Sequence, residues 1–526
     1  MLALEALVAI GIALVVAAVV APRLRVPLAV VQILTGVLLG FVPALRDVQL
    51  PSEAVLLLFL PAILFSESLA TSLREGRRFI RVILLNGTVL VVVTAFAVAA
   101  VGSLAGMPWA VAIVMGAALA PTDATAVGNL ASGLPLRQRT VLRAESLIND
   151  GTALVIYGLA VGAAVGSETL TPLSVTWDLA VSYLGGVGIG LLVGLIGTYV
   201  RRIPHTLASN VGMIVTPFAA FLAAELIHAS GVLAVVVCGL LMAWRGPRVA
   251  RAEARDQVLS FWTLSTYMLN GALFVLIGLE LQVVVRDLRS SELGFGILLG
   301  VIVWLALIVV RLAFTFTTTA IIRTVDRRPY QRTLRAPTRA LVMNAFAGYR
   351  GAVSLAAALA IPLTIEGGAP FPMRDLVVFV TAVVIVLTIA VQGPLLPVII
   401  AWAALPADDR EGDERRLAKT TASRAALEAL PGLAASLGID DEVRDRVARE
   451  TEEHLAVLEA DGDSDEAAES AQAKEQYVRL RLAAMQVKRD AVLKLRDDRR
   501  IDDTVVRAVQ AQLDLEEIRL TGREVE

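Results

Sequence analysis

The hexapeptide Glu145-Ser146-Leu147-Ile148-Asn149-Asp150 puts two carboxylates, an amide and a hydroxyl into an otherwise lipid-compatible stretch. A charged side chain at the bilayer centre costs at least about 2.5–3.5 kcal/mol on insertion scales, so such residues mark ion or proton pathways. On a helix Ser146 lies four residues from Asp150 and three from Asn149, which puts all three on one flank. Their oxygens suit a hard monovalent cation, and Asn149 adds a donor that can hold a neighbouring carboxylate. Burial favours the neutral form of a carboxylate. Asp150 could therefore hold a proton or a cation but not both, a minimal mechanism for exchange. The competing expectation is a polar cluster that only glues helices together.

Two further polar breaks interrupt apolar stretches. In Pro121-Thr122-Asp123-Ala124-Thr125 the proline removes one backbone hydrogen bond, and Thr122 and Thr125 can cap the freed groups. Unwound backbone at membrane depth is a recurring device of secondary transporters, the alternative being a plain proline kink. The other break is Gly348-Tyr349-Arg350-Gly351. A guanidinium does not deprotonate, so Arg350 in mid-membrane is expected to need a carboxylate, Glu145 first and Asp123 second. An Arg350–Glu145 pair would be structural and leave Asp150 free. Of the other charges within apolar stretches, Glu5 can reach the interface and Arg311 can snorkel or pair structurally. Glu225 suits a structural hydrogen bond and Glu280 a structural or vestibule role.

The elements that must position these groups are membrane helices. The chain is 56% hydrophobic and 18% charged, with mean hydropathy +0.71. Residues 1–404 carry 27 Lys+Arg against 19 Asp+Glu, and residues 405–526 carry 20 against 30. That asymmetry predicts a polytopic membrane domain, 1–404, followed by a soluble acidic domain, 405–526. A span needs about 20 apolar residues. Thirteen stretches are candidates, the short ninth leaving twelve as the alternative: 2–22, 27–44, 53–70, 79–106, 108–131, 141–167, 176–200, 207–228, 231–244, 258–285, 293–322, 337–364 and 374–404. The two breaks fall in spans five and twelve, the offset of seven that an inverted repeat of spans 1–6 and 8–13 would give. Alternate joints carry 21 arginines and the opposite joints four. By the positive-inside rule the N-terminus lies outside and the tail in the cytoplasm. Arg23 and Arg25 follow the apolar run 2–21 rather than precede it, so it reads as a first span and not a signal peptide.

Other chemistries find little support. Cys238 is alone, and His205, His228 and His454 lie far apart, so no thiol or imidazole metal site is expected. No nucleophile–base pair, nucleotide-binding or nucleic-acid motif stands out, which argues against an enzyme, a cofactor and a nucleic-acid partner.

The stretches 144–150, 121–127 and 348–354 resemble signature segments of the NhaP/NHE-type sodium/proton antiporters, the first branch of the monovalent cation:proton antiporters. Leu60-Pro61-Ala62-Ile63-Leu64-Phe65, Ala224-Glu225 with 230–234, and Val391-Gln392-Gly393 are similar to further family segments, in family order. The resemblance implies an all-α homodimer of thirteen transmembrane helices with two broken helices, and a six-helix core that moves against a dimerisation domain. It implies that Asp150 alternates between cation and proton, with Asn149, Ser146, Thr122 and Asp123 around it. Asp150, Ser146 and Thr122 would ligate Na+, and Glu145 would bond Arg350. An Asn-Asp pair is the family mark of electroneutral exchange, and Asn149 cannot carry a second proton. Two departures stand out. Ala124 replaces a frequent proline, and Ser66 replaces a frequent acid. Glu67, one residue on and rotated about 100° on a helix, is a candidate for the cation path.

In the tail, Asp461-Gly462-Asp463-Ser464-Asp465 suggests a solvated loop and 471–520 is helix-friendly. A helical regulatory or assembly domain with an unknown regulator is expected, or else a plain spacer. Na+ (or Li+) for H+ exchange in the plasma membrane is the leading expectation. K+/H+ exchange by the same fold, and a cation channel or ion sensor, are the alternatives.

Overall fold

The structure, a computed structural model, describes residues 2–24, 26–43, 55–71, 79–123, 134, 136–166, 172–249, 251–287, 290–325, 337–405, 410–459, 465–498, 500 and parts of 505–517. Ala124, Thr125, residues 461–464 and several arginine-rich joints lie outside them. The chain divides into two compact units, Met1–Ala407 and Asp408–Glu526. Among the described residues the regular structure is helical, with one isolated bridge between Thr364 and Pro370.

In the first unit the helices are α1 (Leu2–Leu24), α2 (Leu28–Leu39), α3 (Leu60–Leu69), α4 (Ile80–Leu104), α5 (Trp109–Leu119), α6 (Leu136–Val165) and α7 (Pro172–Val200). They continue as α8 (Thr206–Glu225), α9 (Gly231–Val249), α10 (Ala252–Asp287), α11 (Ser290–Val325), α12 (Thr338–Phe346), α13 (Ala352–Leu359) and α14 (Arg374–Ala403). Each of the thirteen expected spans contains helix. Eight helices among the described residues are long and apolar enough to cross a membrane. Three helices, α2, α5 and α12, begin directly after Pro27, Pro108 and Pro337. A proline is tolerated there because the first N–H groups of a helix have no intrahelical partner.

Both expected breaks are present in the described chain. Helix α5 stops at Leu119, and Ala120–Asp123 are not helical. In span twelve, α12 and α13 are separated by Ala347–Gly351. Three π turns among the described residues were not anticipated: Val55–Phe59 ahead of α3, Leu85–Leu90 within α4 and Thr388–Gln392 within α14. No hydropathy pattern marks a π turn, because it differs from an α-helix in hydrogen-bond spacing and not in composition.

Two apolar clusters organise the unit. One gathers α3, α8, α9 and α10, and the other gathers α4, α5 and α11; α14 contributes to both. Helices α6 and α13 also belong to both, since α6 gives Leu147 to the first and Tyr157 to the second. The polar flank of α6 and the start of α13 therefore lie where the two clusters adjoin. Lipid supplies no hydrophobic drive between helices, so close packing must hold them together. Small residues permit it, as where Gly36 of α2 faces Gly278 of α10.

The second unit contains α15 (Arg410–Leu437), α16 (Asp441–Glu459) and α17 (Asp465–Asp497). An Arg424–Glu459 ion pair of 2.7 Å ties α15 to α16. Arg481 and Arg489 of α17 pair with Glu516 and Asp514 at 2.7 and 2.5 Å, which folds the following segment back on the helix.

Candidate ion-binding site

The flank of α6 predicted from spacing is buried: Glu145 is 2% exposed, and Ser146, Asn149 and Asp150 are 1%. It faces the broken end of α5. The Ser146 hydroxyl donates to the Thr122 carbonyl at 2.5 Å. The Asn149 amide donates to Thr122 Oγ1 at 2.6 Å and accepts from the Thr122 N–H at 3.3 Å. Thr122 is thus clamped by two α6 side chains, and the N–H freed by the break is satisfied. Among the described residues the bonds of the Asn149 side chain go to Thr122 rather than to a carboxylate. Asp150 differs from its neighbours, because its Oδ1 is buried with no hydrogen-bond partner among the described residues. Glu67 on α3, half-buried, and Asp123 are the charged groups whose fields act on it.

The two breaks meet. The Asp123 N–H donates to the Tyr349 carbonyl at 2.8 Å, and Arg350 Nε donates to the Leu119 carbonyl at 3.0 Å. Gly351 is required at this crossing, since a Cβ there would overlap the Asp123 carboxylate. The π turn of α14 completes the anchor: Tyr349 Oη donates to the Gln392 carbonyl at 3.0 Å, and Gln392 Nε2 to the Phe346 carbonyl at 2.5 Å.

The expected Glu145–Arg350 pair is replaced by another. Glu145 Oε1 lies 2.5 Å from Arg311 Nη2, and Arg311 Nε donates to the Asn344 carbonyl at 3.2 Å. Arg350 instead holds the carbonyls of Leu119 and, at 2.7 Å, Gly348, with no carboxylate in ion-pair distance among the described residues. The reason is the break itself. The last carbonyls of α5 lack helical partners and carry partial negative charge, so they satisfy a guanidinium without a carboxylate.

Sequence reasoning missed Asn86, whose Nδ2 donates to Glu145 Oε2 at 2.9 Å. Asn86 sits in the π turn of α4. The next residue, Gly87, lets the turn press on α6, where a Cβ would strike the Ile148 side chain. Only the polarity of an asparagine in an apolar run hinted at this role. Glu225 and Glu280 lie apart from this cluster. Glu225 accepts from the Gly231 N–H at 3.3 Å, and Glu280 lies 4.0 Å from Arg374.

Among the described residues no three His, Cys, Asp or Glu side chains converge on one point. A cation bound beside Asp150 would therefore draw its remaining oxygens from hydroxyls and backbone carbonyls. Ser146 and Thr122 offer that chemistry: each hydroxyl oxygen has two lone pairs, and Ser146 has committed its proton to Thr122.

A family model described as "Sodium/hydrogen exchanger, transmembrane" matches residues 10–402. The chain belongs to the sodium/hydrogen exchanger family, multi-pass membrane transporters of monovalent cations and protons. It is 43% identical to an uncharacterized Na+/H+ exchanger of Mycobacterium tuberculosis (strain ATCC 25618 / H37Rv), over 98% of this chain and 96% of that one. It is 30% identical to the sodium, potassium, lithium and rubidium/H+ antiporter of Bacillus subtilis (strain 168), covering 71% of this chain and 58% of that one. In fold it matches the sodium proton antiporter MjNhaP1 of Methanocaldococcus jannaschii, with TM-score 0.59 and 19% identity, over 76% of this chain and 99% of that one.

Proposed function

We propose that this chain exchanges Na+ (or Li+) for H+ across the cytoplasmic membrane by alternating access, with Asp150 as the group for which cation and proton compete. The observation that carries this reading is the buried Asp150 Oδ1, which has no hydrogen-bond partner among the described residues. An ionised carboxylate in that position is costly unless it is paired. A proton or a monovalent cation each relieves the cost, and the two exclude one another. Asp150, Ser146 and Thr122 are the proposed Na+ ligands, with Asp123 and Asn149 holding the surrounding backbone and Glu67 on the cation path. Exchange is one-for-one and electroneutral in this scheme, because Asn149 is an amide bonded to Thr122 and cannot take up a second transported proton. The Glu145–Arg311 pair is structural.

Residues 1–404 form the antiporter domain, working as a homodimer. Residues 405–526 form a cytoplasmic domain open to regulation. The 21-to-4 arginine asymmetry supports that orientation, with the N-terminus outside. The physiological outcome is pH homeostasis. K+ is the second candidate cation, favoured by the name of the Bacillus subtilis relative.

Proton movement in sealed proteoliposomes with an acid interior tests this. Addition of Na+ should alkalinise the interior in the wild type and leave it unchanged in Asp150→Asn. A response to K+ alone would keep the mechanism and change the substrate. Cation flux without proton movement would replace the antiporter with a channel.

A further inference from the structure

A second charged site lies at the joint between α7 and α8. Arg201 is 5% exposed, directly after the last residue of α7. Its Nη1 donates to Ser209 Oγ at 3.0 Å and to Asn210 Oδ1 at 2.9 Å. Asn210 is held in turn by Gln257 of α10 at 2.8 Å. These bonds orient the guanidinium without neutralising it. Among the described residues no carboxylate pairs with Arg201, and a charged group acting on it is another cation, Arg255. The nearby Glu253 places its oxygens on Thr206 and Gln257, at 3.4 and 3.5 Å.

A buried cation that lacks an anion is costly. The C-terminal carbonyls of α7 amount to roughly half an elementary charge and offset only part of it. The joint is flanked by the exposed apolar side chains of Leu195, Tyr199, Leu207 and Val211, and Arg202 is exposed beside it. Arginine and tyrosine at the end of a span sit at the level of lipid headgroups. A guanidinium engages two phosphate oxygens at once.

We infer that Arg201, supported by Arg202 and Arg255, binds the phosphate of an anionic lipid headgroup whose acyl chains lie along α7 and α8. The full-length protein, delipidated in neutral detergent, tests this by its melting temperature during titration with phosphatidylglycerol. Inorganic phosphate and phosphatidylcholine serve as separate arms. Phosphatidylglycerol should raise the melting temperature of the wild type more than either. Arg201→Gln should remove most of that rise.

Arg202→Gln and Arg255→Gln change exposed side chains and keep the test readable if the Arg201 variant fails to fold. Each should raise the half-effective lipid concentration about fivefold, the equivalent of about 1 kcal/mol per interfacial arginine. An equal rise with inorganic phosphate would assign the site to a free anion and overturn the lipid source. An equal rise with phosphatidylcholine would overturn the requirement for an anionic headgroup. No rise with phosphatidylglycerol in the wild type, or an unchanged titration in both exposed variants, would overturn the site.

Discussion

Replacing Arg311 with methionine would strand Glu145 inside the membrane unit, where it is 2% exposed and loses its ion-pair partner at 2.5 Å. The Asn86 hydrogen bond would remain. Removing one member of a buried pair costs about 3–5 kcal/mol, most of it the penalty of the orphaned charge. Unfolding entropy near 2.1 cal/mol/K per residue gives the unit Met1–Ala407 about 0.85 kcal/mol/K. The melting temperature should therefore fall by roughly 4–6 °C. Glu145→Gln alone strands the guanidinium instead. The double variant strands neither charge, so its loss should be smaller than the sum of the singles, with a coupling of about 0.5–3 kcal/mol. Calorimetry of the purified protein across the four members of this cycle measures the coupling. A second cycle pairs Glu145→Gln with Arg350→Met. Additive losses for Glu145 and Arg311, or a larger coupling to Arg350, would refute the assignment.

Three other outcomes follow from the same geometry. Asn86→Leu removes a charge-assisted hydrogen bond worth about 1.5–3 kcal/mol and should lower the melting temperature by roughly 2–4 °C. Asn86→Asp should be worse, since it sets a like charge against Glu145; equal melting of both variants and wild type would dismiss the contact. Gly351→Ala drives a methyl into the Asp123 carboxylate at the crossing of the breaks, so proteoliposome exchange should drop at least about tenfold. Wild-type rates in that variant would mean the crossing is not needed for transport. The proposed competition at Asp150 also fixes the sign of the pH dependence. Below the pH at which the proton dominates, each unit of acidification should raise the half-saturating Na+ concentration about tenfold while the maximal rate holds. A half-saturation constant independent of pH across the active range would contradict competition.

Much of the site was legible in the sequence because polarity is conspicuous against an apolar background. Asp150, Ser146 and Asn149 share a flank by spacing alone, and that flank is the one that meets Thr122. Span positions were legible for a similar reason: a helix that must satisfy its own backbone in lipid leaves a run of about 20 apolar residues. Arg311 was harder to place. It is one guanidinium in a 36-residue helix, and nothing local says whether it reaches lipid headgroups or Glu145 on α6. Asn86 stood out only by its polarity, and its bond to Glu145 was not legible because its reach depends on a π turn that the hydropathy of 85–90 does not encode.

The sequence by itself determined the medium, the positions of the helices and the chemical types gathered at the site, because each is a property of local composition or of spacing along one helix. Only the tertiary structure decided the partners. It gave Glu145 to Arg311 and Arg350 to the open carbonyls of α5. It brought Tyr349 to Asp123 across 226 positions and left Asp150 Oδ1 without a hydrogen bond among the described residues. Pairing across helices depends on which flanks face one another and how closely the backbones approach. Small residues such as Gly87 and Gly351 set those approaches, and their effect appears only when the second backbone is present.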